Sequence, residues 1–283
     1  MSATAAATVA DALAAARDAI AAAGSETPRL DAELLLAEAA GRRREQLAAD
    51  PGAPVPPAAA RVFGAMVRRR VAHEPVAYIL GRRGFRRIEL RTDRRALIPR
   101  PETELLVEVA LDLAPRRVLD VGTGSGAVAL AVADELPGAE VVAVETDPGA
   151  LALAGENAAA LGLAGRVELL HGPVAAATGR FDLALANLPY VADGDRRALP
   201  ADVADWEPEA ALFAGPDGLA VIRAVLAALK PGGSGPRCDA VALEVGIGQA
   251  EDVDALVRAA GYPDVATRAD LVGIDRVVVG RRS

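Results

Sequence analysis

Cysteine is almost absent from this 283-residue chain. Cys238 stands alone, which excludes a disulfide framework and a cysteine metal cluster. Histidine is nearly as scarce: His73 and His171 are the whole supply, too few for a histidine-based zinc site, so no metal is expected. Lysine is reduced to Lys230 among 31 basic residues, a bias toward arginine and alanine that reflects coding composition rather than function. No uninterrupted apolar run reaches the roughly 20 residues that a membrane-spanning helix needs. The opening MSATAAATVADALAAARD carries Asp11 and Asp18 where a signal peptide would be apolar. A soluble, cytoplasmic protein with no membrane attachment is expected. What the chain does have is length and a 52% hydrophobic composition, enough for one large domain and a smaller one.

The net charge of −8 is unevenly spread. Between residues 61 and 100, twelve arginines face only Glu74, Glu89 and Asp93, a surplus of nine that leaves −17 on the rest of the chain. Such a stretch can attract an acidic partner or RNA, or it can be a solvated face with no partner; charge alone leaves both open.

Residues 1–73 read as a small helical module. TVADALAAARDAIAAAG and RLDAELLLAEAAG have apolar residues at helical spacing and stop at Gly24 and Gly41. PGAPVPPAAA, residues 51–60, reads as a proline-rich loop before another helix in ARVFGAMVRRRVAHE. Residues 74–100, with PVAYILGRRGFRRIEL starting at Pro75, switch to a shorter alternation and read as a β-hairpin linker. From 101 to 283 strand and helix alternate: RRVLDVG, AEVVAVET, RVELLHG, FDLALAN and DAVALEVG are strands with helical stretches between. The expected fold is α/β, a mostly parallel sheet covered by helices on both faces. Ligands in such sheets sit beyond the C-terminal strand ends, at the switch point.

Two of those ends carry chemistry. Val118–Gly126, VLDVGTGSG, is a strand entering a glycine turn before a helix, where Gly122, Gly124 and Gly126 let the backbone approach a ligand and the helix start offers N–H groups. Nineteen residues after Gly126 the next strand ends at Glu145, placed to accept hydrogen bonds from both ribose hydroxyls. Asp147, two residues on, is better suited to cap the helix that starts near Pro148. Because Gly122-x-Gly124-x-x-Ala127 also satisfies a loose dinucleotide fingerprint, these residues alone leave a nicotinamide dehydrogenase open.

The second end is Asn187-Leu188-Pro189-Tyr190, which stops an apolar strand abruptly. The pre-proline residue is held extended. A side-chain carbonyl and a main-chain carbonyl then stand side by side, an arrangement that grips both hydrogens of an NH2 group and aims the nitrogen lone pair. Tyr190 can pack on the planar group and keep water out.

With these residues in view, the chain resembles the protein-(glutamine-N5) methyltransferases that modify peptide chain release factors. The likeness runs nearly its full length: PVAYILG with Phe85, LIPRPETELLVE, DVGTGSGAVAL, NLPYV, EPEAALFAGPDGL and DRVVVGR. The resemblance implies a helical N-terminal substrate-recognition domain, a hairpin linker and a seven-stranded Rossmann-like methyltransferase domain. It further implies S-adenosylmethionine as cofactor, S-adenosylhomocysteine as product, and the glutamine of a Gly-Gly-Gln loop in a release factor as substrate, with no nucleic acid required. Carried onto this chain, it assigns Asn187, Pro189 and Tyr190 to catalysis. It assigns Gly122, Thr123, Gly124, Ser125, Gly126, Glu145 and Asn187 to the cofactor, and Asn187, Leu188, Pro189 and Tyr190 to the substrate. Arg100, Glu102 and Glu104, with Glu207 and Pro208, would then wall the cleft.

The chain departs from the family pattern twice. Leu188 replaces the usual first proline of Asn-Pro-Pro-Tyr, which a main-chain acceptor tolerates. The acidic residue often found after the third strand is replaced by His171-Gly172-Pro173-Val174, so adenine recognition would rest on backbone groups and apolar packing. His171 is read as structural, since the transferred amide can lose its proton to water without a base. Two rivals remain: an amino-methyltransferase of adenine or another nucleobase, which lacks a DNA-reading module here, and a non-catalytic S-adenosylmethionine-binding protein, which would not need the Asn187 clamp.

Overall fold

The computed structural model describes residues 7–282, and the chain divides into two units. The first runs through Gly81 and takes in Pro200–Trp206. Its helices are α1 (Val9–Ala22), α2 (Pro28–Ala40), α3 (Arg44–Ala49), α4 (Pro57–Val71) and α5 (Val76–Leu80). Thr8 starts α1 through a reciprocal capping box with Asp11. Pro28 and Pro57 each occupy the first helical position, where a missing N–H costs nothing. The proline-rich loop is therefore shorter than the sequence suggests: its second half is already helix. PVAYILG likewise corrects the expected strand, since Val76–Leu80 forms a helical turn closed by Gly81 in the left-handed region at φ 71°. Ile20, Leu35, Leu36, Leu47, Phe63 and Ile79 form this unit's core. Beside them a buried ion pair joins Arg70 Nε to Asp31 at 2.7 Å, and Arg70 also reaches Ser25 and Asp202 at 3.1 Å. Breaking one partner of such a pair would strand a buried charge.

The second unit, Arg82–Leu199 with Glu207–Ser283, opens with the antiparallel hairpin β1 (Arg82–Phe85) and β2 (Ile88–Arg91). Arg86 turns the hairpin at φ 51°. Its guanidinium bonds Glu135 at 2.8 and 2.9 Å and Glu108 at 3.1 Å, and its N–H donates to Glu104. At least this arginine of the basic stretch is a structural fastener. The main body follows: α6 (Glu104–Leu113), β3 (Arg117–Val121), α7 (Ala127–Glu135), β4 (Glu140–Glu145), α8 (Pro148–Ala160), β5 (Val167–His171), β6 (Arg180–Ala186), α9 (Ala220–Leu229), β7 (Arg237–Glu244), α10 (Ala250–Ala259), β8 (Asp264–Ala269) and β9 (Asp275–Arg281).

The seven-stranded sheet has the order β5-β4-β3-β6-β7-β9-β8, with β9 alone antiparallel to its neighbours. Successive residues of each central strand serve opposite faces, as the strand period requires: Val118, Val141, Leu183 and Leu185 pack with α6 and α7, while Leu119, Val142, Ala184 and Ala186 pack with α9 and α10. Burial on both faces explains why these strands read as continuous apolar runs. The chain leaves β3 toward β4 on one side and returns to β6 on the other, so β3 and β6 end together, Val121 opposite Ala186. Gly122 and Asn187 are the next residues of each. The switch point of the sheet thus brings the two sequence motifs side by side.

Candidate active site

A cavity of about 800 Å³ opens there, in the size range of small-molecule and cofactor sites. Gly122, Thr123, Gly124 and Ser125 form its floor, Glu145 one edge, and Asn187, Leu188 and Pro189 the opposite edge; Pro173, Val174, Val225 and Ala228 supply apolar wall.

The glycine turn is held from below. Gly122 and Thr123 donate to the Val144 carbonyl at 2.9 and 3.2 Å. Asp120, buried in β3, accepts from the Thr123 hydroxyl at 2.6 Å and from Ala129 N–H at 3.2 Å. Burial pushes its carboxyl up to about 6 despite those two donors. Gly124 has φ 57° and open space where a side chain would stand, so the backbone itself faces the cavity. Gly126 does a different job: a Cβ there would lie 2.9 Å from Leu130 and 3.3 Å from Ala154. It lets the turn pack on its helix and does not line the cavity.

Glu145 is set by three main-chain donors. Gly124 N–H bonds one carboxylate oxygen at 2.9 Å, and Thr146 and Asp147 N–H bond the other at 2.7 and 3.0 Å. A carboxylate has about four acceptor positions, so one remains, on the oxygen that Gly124 also bonds, for a ligand hydroxyl. Asp147 caps α8, accepting from Ala150 N–H at 2.7 Å, as its position implies. These groups fit an S-adenosyl cofactor: an exposed main-chain turn, an oriented acceptor for a ribose hydroxyl and an apolar slot.

At the other edge, Asn187 donates its amide NH2 to the Thr103 hydroxyl at 2.9 Å, its one side-chain hydrogen bond among the described residues. That leaves its carbonyl oxygen as an acceptor on the cavity edge. Leu188 buries its side chain against Gly122, 3.2 Å from where a Cβ would stand. Pro189 lines the cavity, but Tyr190 does not. Its carbonyl accepts from Gln249 Nε2 at 2.9 Å, its ring lies beside Gly246, and burial pushes its hydroxyl up to about 12.

The segments quoted from the linker and from EPEAALFAGPDGL meet here too. Val191 N–H donates to the Leu212 carbonyl and Ala214 N–H to the Val191 carbonyl, both at 2.9 Å. Glu207, buried, accepts from Ile98 N–H at 3.0 Å and from Arg100. The cavity wall contains Ile98, Pro99, Thr103 and Pro208 rather than Arg100, Glu102 or Glu104; the charged residues brace it. His171 bonds the Thr146 carbonyl at 3.0 Å and stays exposed, outside the lining.

Asp120, Thr103, Glu244, Gln249 and Gly218 escaped the sequence reading. The first and third carried a signal, a lone carboxylate inside an apolar strand run. Among the described residues no group of three or more His, Cys, Asp or Glu side chains is arranged to hold a metal, and no helix is long and apolar enough to cross a membrane.

Residues 11–81 match the PrmC N-terminal domain family and residues 101–202 the methyltransferase small domain family. A release factor glutamine methyltransferase of Cereibacter sphaeroides is 44% identical over 277 residues, 96% of this chain and 98% of that protein. Those of Caulobacter vibrioides and Geobacter sulfurreducens are 40% and 42% identical, over 94% and 91% of this chain and 93% and 91% of theirs. Among solved structures, the hMettl16 catalytic domain in complex with MAT2A 3'UTR hairpin 6 superposes with a TM-score of 0.55 at 17% identity, covering 69% of this chain and 75% of that one, a likeness of fold alone.

Proposed function

The chain belongs to the release factor glutamine methyltransferase family, and from that premise we propose how its own residues carry out glutamine methylation. The substrate is the side-chain amide of the glutamine in a release factor's Gly-Gly-Gln motif. S-adenosylmethionine, when bound, supplies an electrophilic methyl group. Glu145 would accept a ribose hydroxyl, the Gly122–Ser125 turn would receive the amino-acid end, and Pro173, Val174, Val225 and Ala228 would enclose the adenine without an acidic partner.

An amide nitrogen is a poor nucleophile because its lone pair is delocalised into the carbonyl. Asn187 Oδ1 and the Leu188 main-chain carbonyl accept its two hydrogens, fixing the nitrogen and favouring the pyramidal form that frees the lone pair. Leu188 does this as well as proline because only its carbonyl is used. Pro189 holds that carbonyl's peptide extended, and Tyr190 anchors the loop through Gln249. The surplus amide proton leaves to water once the new N–C bond has replaced the methyl's S–C bond, with S-adenosylhomocysteine as the leaving group.

The observation that supports this reading is the Asn187–Thr103 hydrogen bond, which occupies the amide NH2 and leaves Oδ1 as the acceptor of a side chain that lines the cavity together with the glycine turn. Incubation with methyl-labelled S-adenosylmethionine and either a release factor or nucleic acid tests it. Label on the release factor alone is expected; label on nucleic acid would overturn it.

A further inference from the structure

Three aliphatic side chains stand bare on one edge of the sheet. Leu271, Val272 and Ile247 are 107%, 80% and 70% exposed, whereas the other exposed large hydrophobics among the described residues reach 47% at most. Single residues of this kind need no explanation, but a group of them on one edge does. The topology puts them there. β7 ends at Glu244, and Val245 N–H donates to the Arg276 carbonyl at 2.8 Å, so the loop after β7 runs beside the chain that enters β9. Ile247 belongs to that loop. Leu271 and Val272 belong to the turn from β8 to β9, which leaves the sheet at the same end.

Neither piece needs its aliphatic residues in order to form. In the turn, the Asp270 carboxylate accepts from Val272 N–H, Ile274 N–H and Arg276 Nε, each at 3.0 Å, and Gly273 takes the left-handed position at φ 83°. Asp and Gly supply the turn chemistry; the side chains of Leu271 and Val272 supply none of it. The loop after β7 is tied to the Asn187–Tyr190 motif, because Gln249 accepts from Gly246 N–H and donates to the Tyr190 carbonyl, both at 2.9 Å. The exposed group is therefore continuous with that edge of the cavity. β6, β7, β9 and β8 follow one another across the sheet, and strands are spaced roughly 5 Å apart, which sets the turn roughly 15 Å along the edge from Asn187.

Resting on the function proposed above, we propose that Ile247, Leu271 and Val272 form a docking shelf for the release factor, receiving an aliphatic patch of its surface beside the Gly-Gly-Gln loop. The substrate motif itself calls for a grip elsewhere. Its two glycines have no side chains to bury, and the hydrogen bonds that fix the glutamine amide exchange for hydrogen bonds to water, so their net contribution to affinity is small. Apolar surface buried next to the motif supplies affinity without touching the reacting groups. A shelf outside the cavity also selects a glutamine carried on a folded protein over a free one.

The test uses the full-length protein with saturating S-adenosylmethionine and steady-state kinetics against whole release factor, with cofactor affinity measured by calorimetry and association state by sedimentation. Leu271→Ser with Val272→Ser should raise KM for the release factor about 10-fold, and adding Ile247→Ser about 100-fold, because burying one aliphatic side chain is worth roughly 10-fold or more in affinity. Turnover at saturating release factor, cofactor affinity and melting midpoint should stay parental, since side chains this exposed contribute little to the fold. Leu271→Met should keep KM within about 3-fold. The rise in KM should persist at high salt, which screens charge and leaves apolar contact in place. A triple variant with the parental KM overturns the inference alone. So does a parent that dimerises through these residues while the monomeric triple variant keeps the parental KM, which would assign the shelf to a second copy of the chain. A parent that methylates no release factor overturns the functional reading and this inference with it.

Discussion

Gly218 is remote in sequence from the motif Asn187–Tyr190, yet its substitution by alanine should disable the enzyme. A Cβ built on Gly218 lies 2.2 Å from the Tyr190 carbonyl oxygen, 3.0 Å from its carbon and 2.9 Å from Gln249 Nε2. Ordinary contact begins near 3.4 Å, so the carbonyl must retreat by roughly an ångström and part from the glutamine amide that holds it. The backbone at φ 73° adds about 1–2 kcal/mol for an L-residue, and overpacking about 1–3 kcal/mol. Gly218→Ala should therefore lose about 2–5 kcal/mol of stability. Catalysis suffers separately: moving the Asn187–Tyr190 loop by about 1 Å misaims the acceptors, for a loss on the order of 100-fold in single-turnover transfer. Gly218 does not line the cavity, so calorimetric affinity for S-adenosylmethionine should stay at the parental value. Parental transfer rate and melting midpoint in the alanine variant would refute the claim that this glycine seats the loop.

Glu145→Ala should weaken cofactor binding by about 1.5–3 kcal/mol, the range for hydrogen bonds to a charged acceptor, with a further loss because Gly124 N–H is released; unchanged affinity by calorimetry would remove Glu145 from the site. Leu188→Pro should keep the transfer rate within about 3-fold, since the carbonyl survives, while thermal denaturation shows a small destabilisation from the lost contact with Gly122. Because folding raises the Glu244 carboxyl from 4.5 to about 7, its contribution is present below the unfolded value and lost as pH rises through the folded one. Chemical denaturation of Glu244→Gln should thus show a gain over the parent that grows between about pH 5 and pH 8, by at most about 3 kcal/mol; a gap that shrinks with pH would contradict the sign.

The parts legible in the sequence were the local ones. A glycine turn, a strand-ending glutamate and an asparagine before proline each state their chemistry within a few residues, and the strand–helix alternation places them at one end of a sheet. Val76–Leu80 was misread because five apolar residues fit either period; Pro75 before it and the left-handed Gly81 after it mark a helix. The exposed edge strand Asp264–Ala269 has no apolar run to announce it, and the seventh strand was foreseen through family resemblance rather than pattern. Thr103 and Gln249 hold Asn187 and Tyr190 across separations of 84 and 59 residues. Such contacts are products of the sheet order, and nothing in the flanking residues names the partner.

The most direct test of the account is the rate at which Asn187→Ala methylates the Gly-Gly-Gln glutamine of a release factor, followed by mass spectrometry of the peptide with cofactor affinity measured alongside. The account predicts a methyl on the glutamine side-chain nitrogen with the parent. For the variant it predicts parental S-adenosylmethionine affinity and a transfer rate lower by about 100- to 1,000-fold, because the lost oxygen orients the nucleophile and does not touch the cofactor's grip. An Asn187→Ala enzyme as fast as the parent, with the methyl on the same nitrogen, would contradict it.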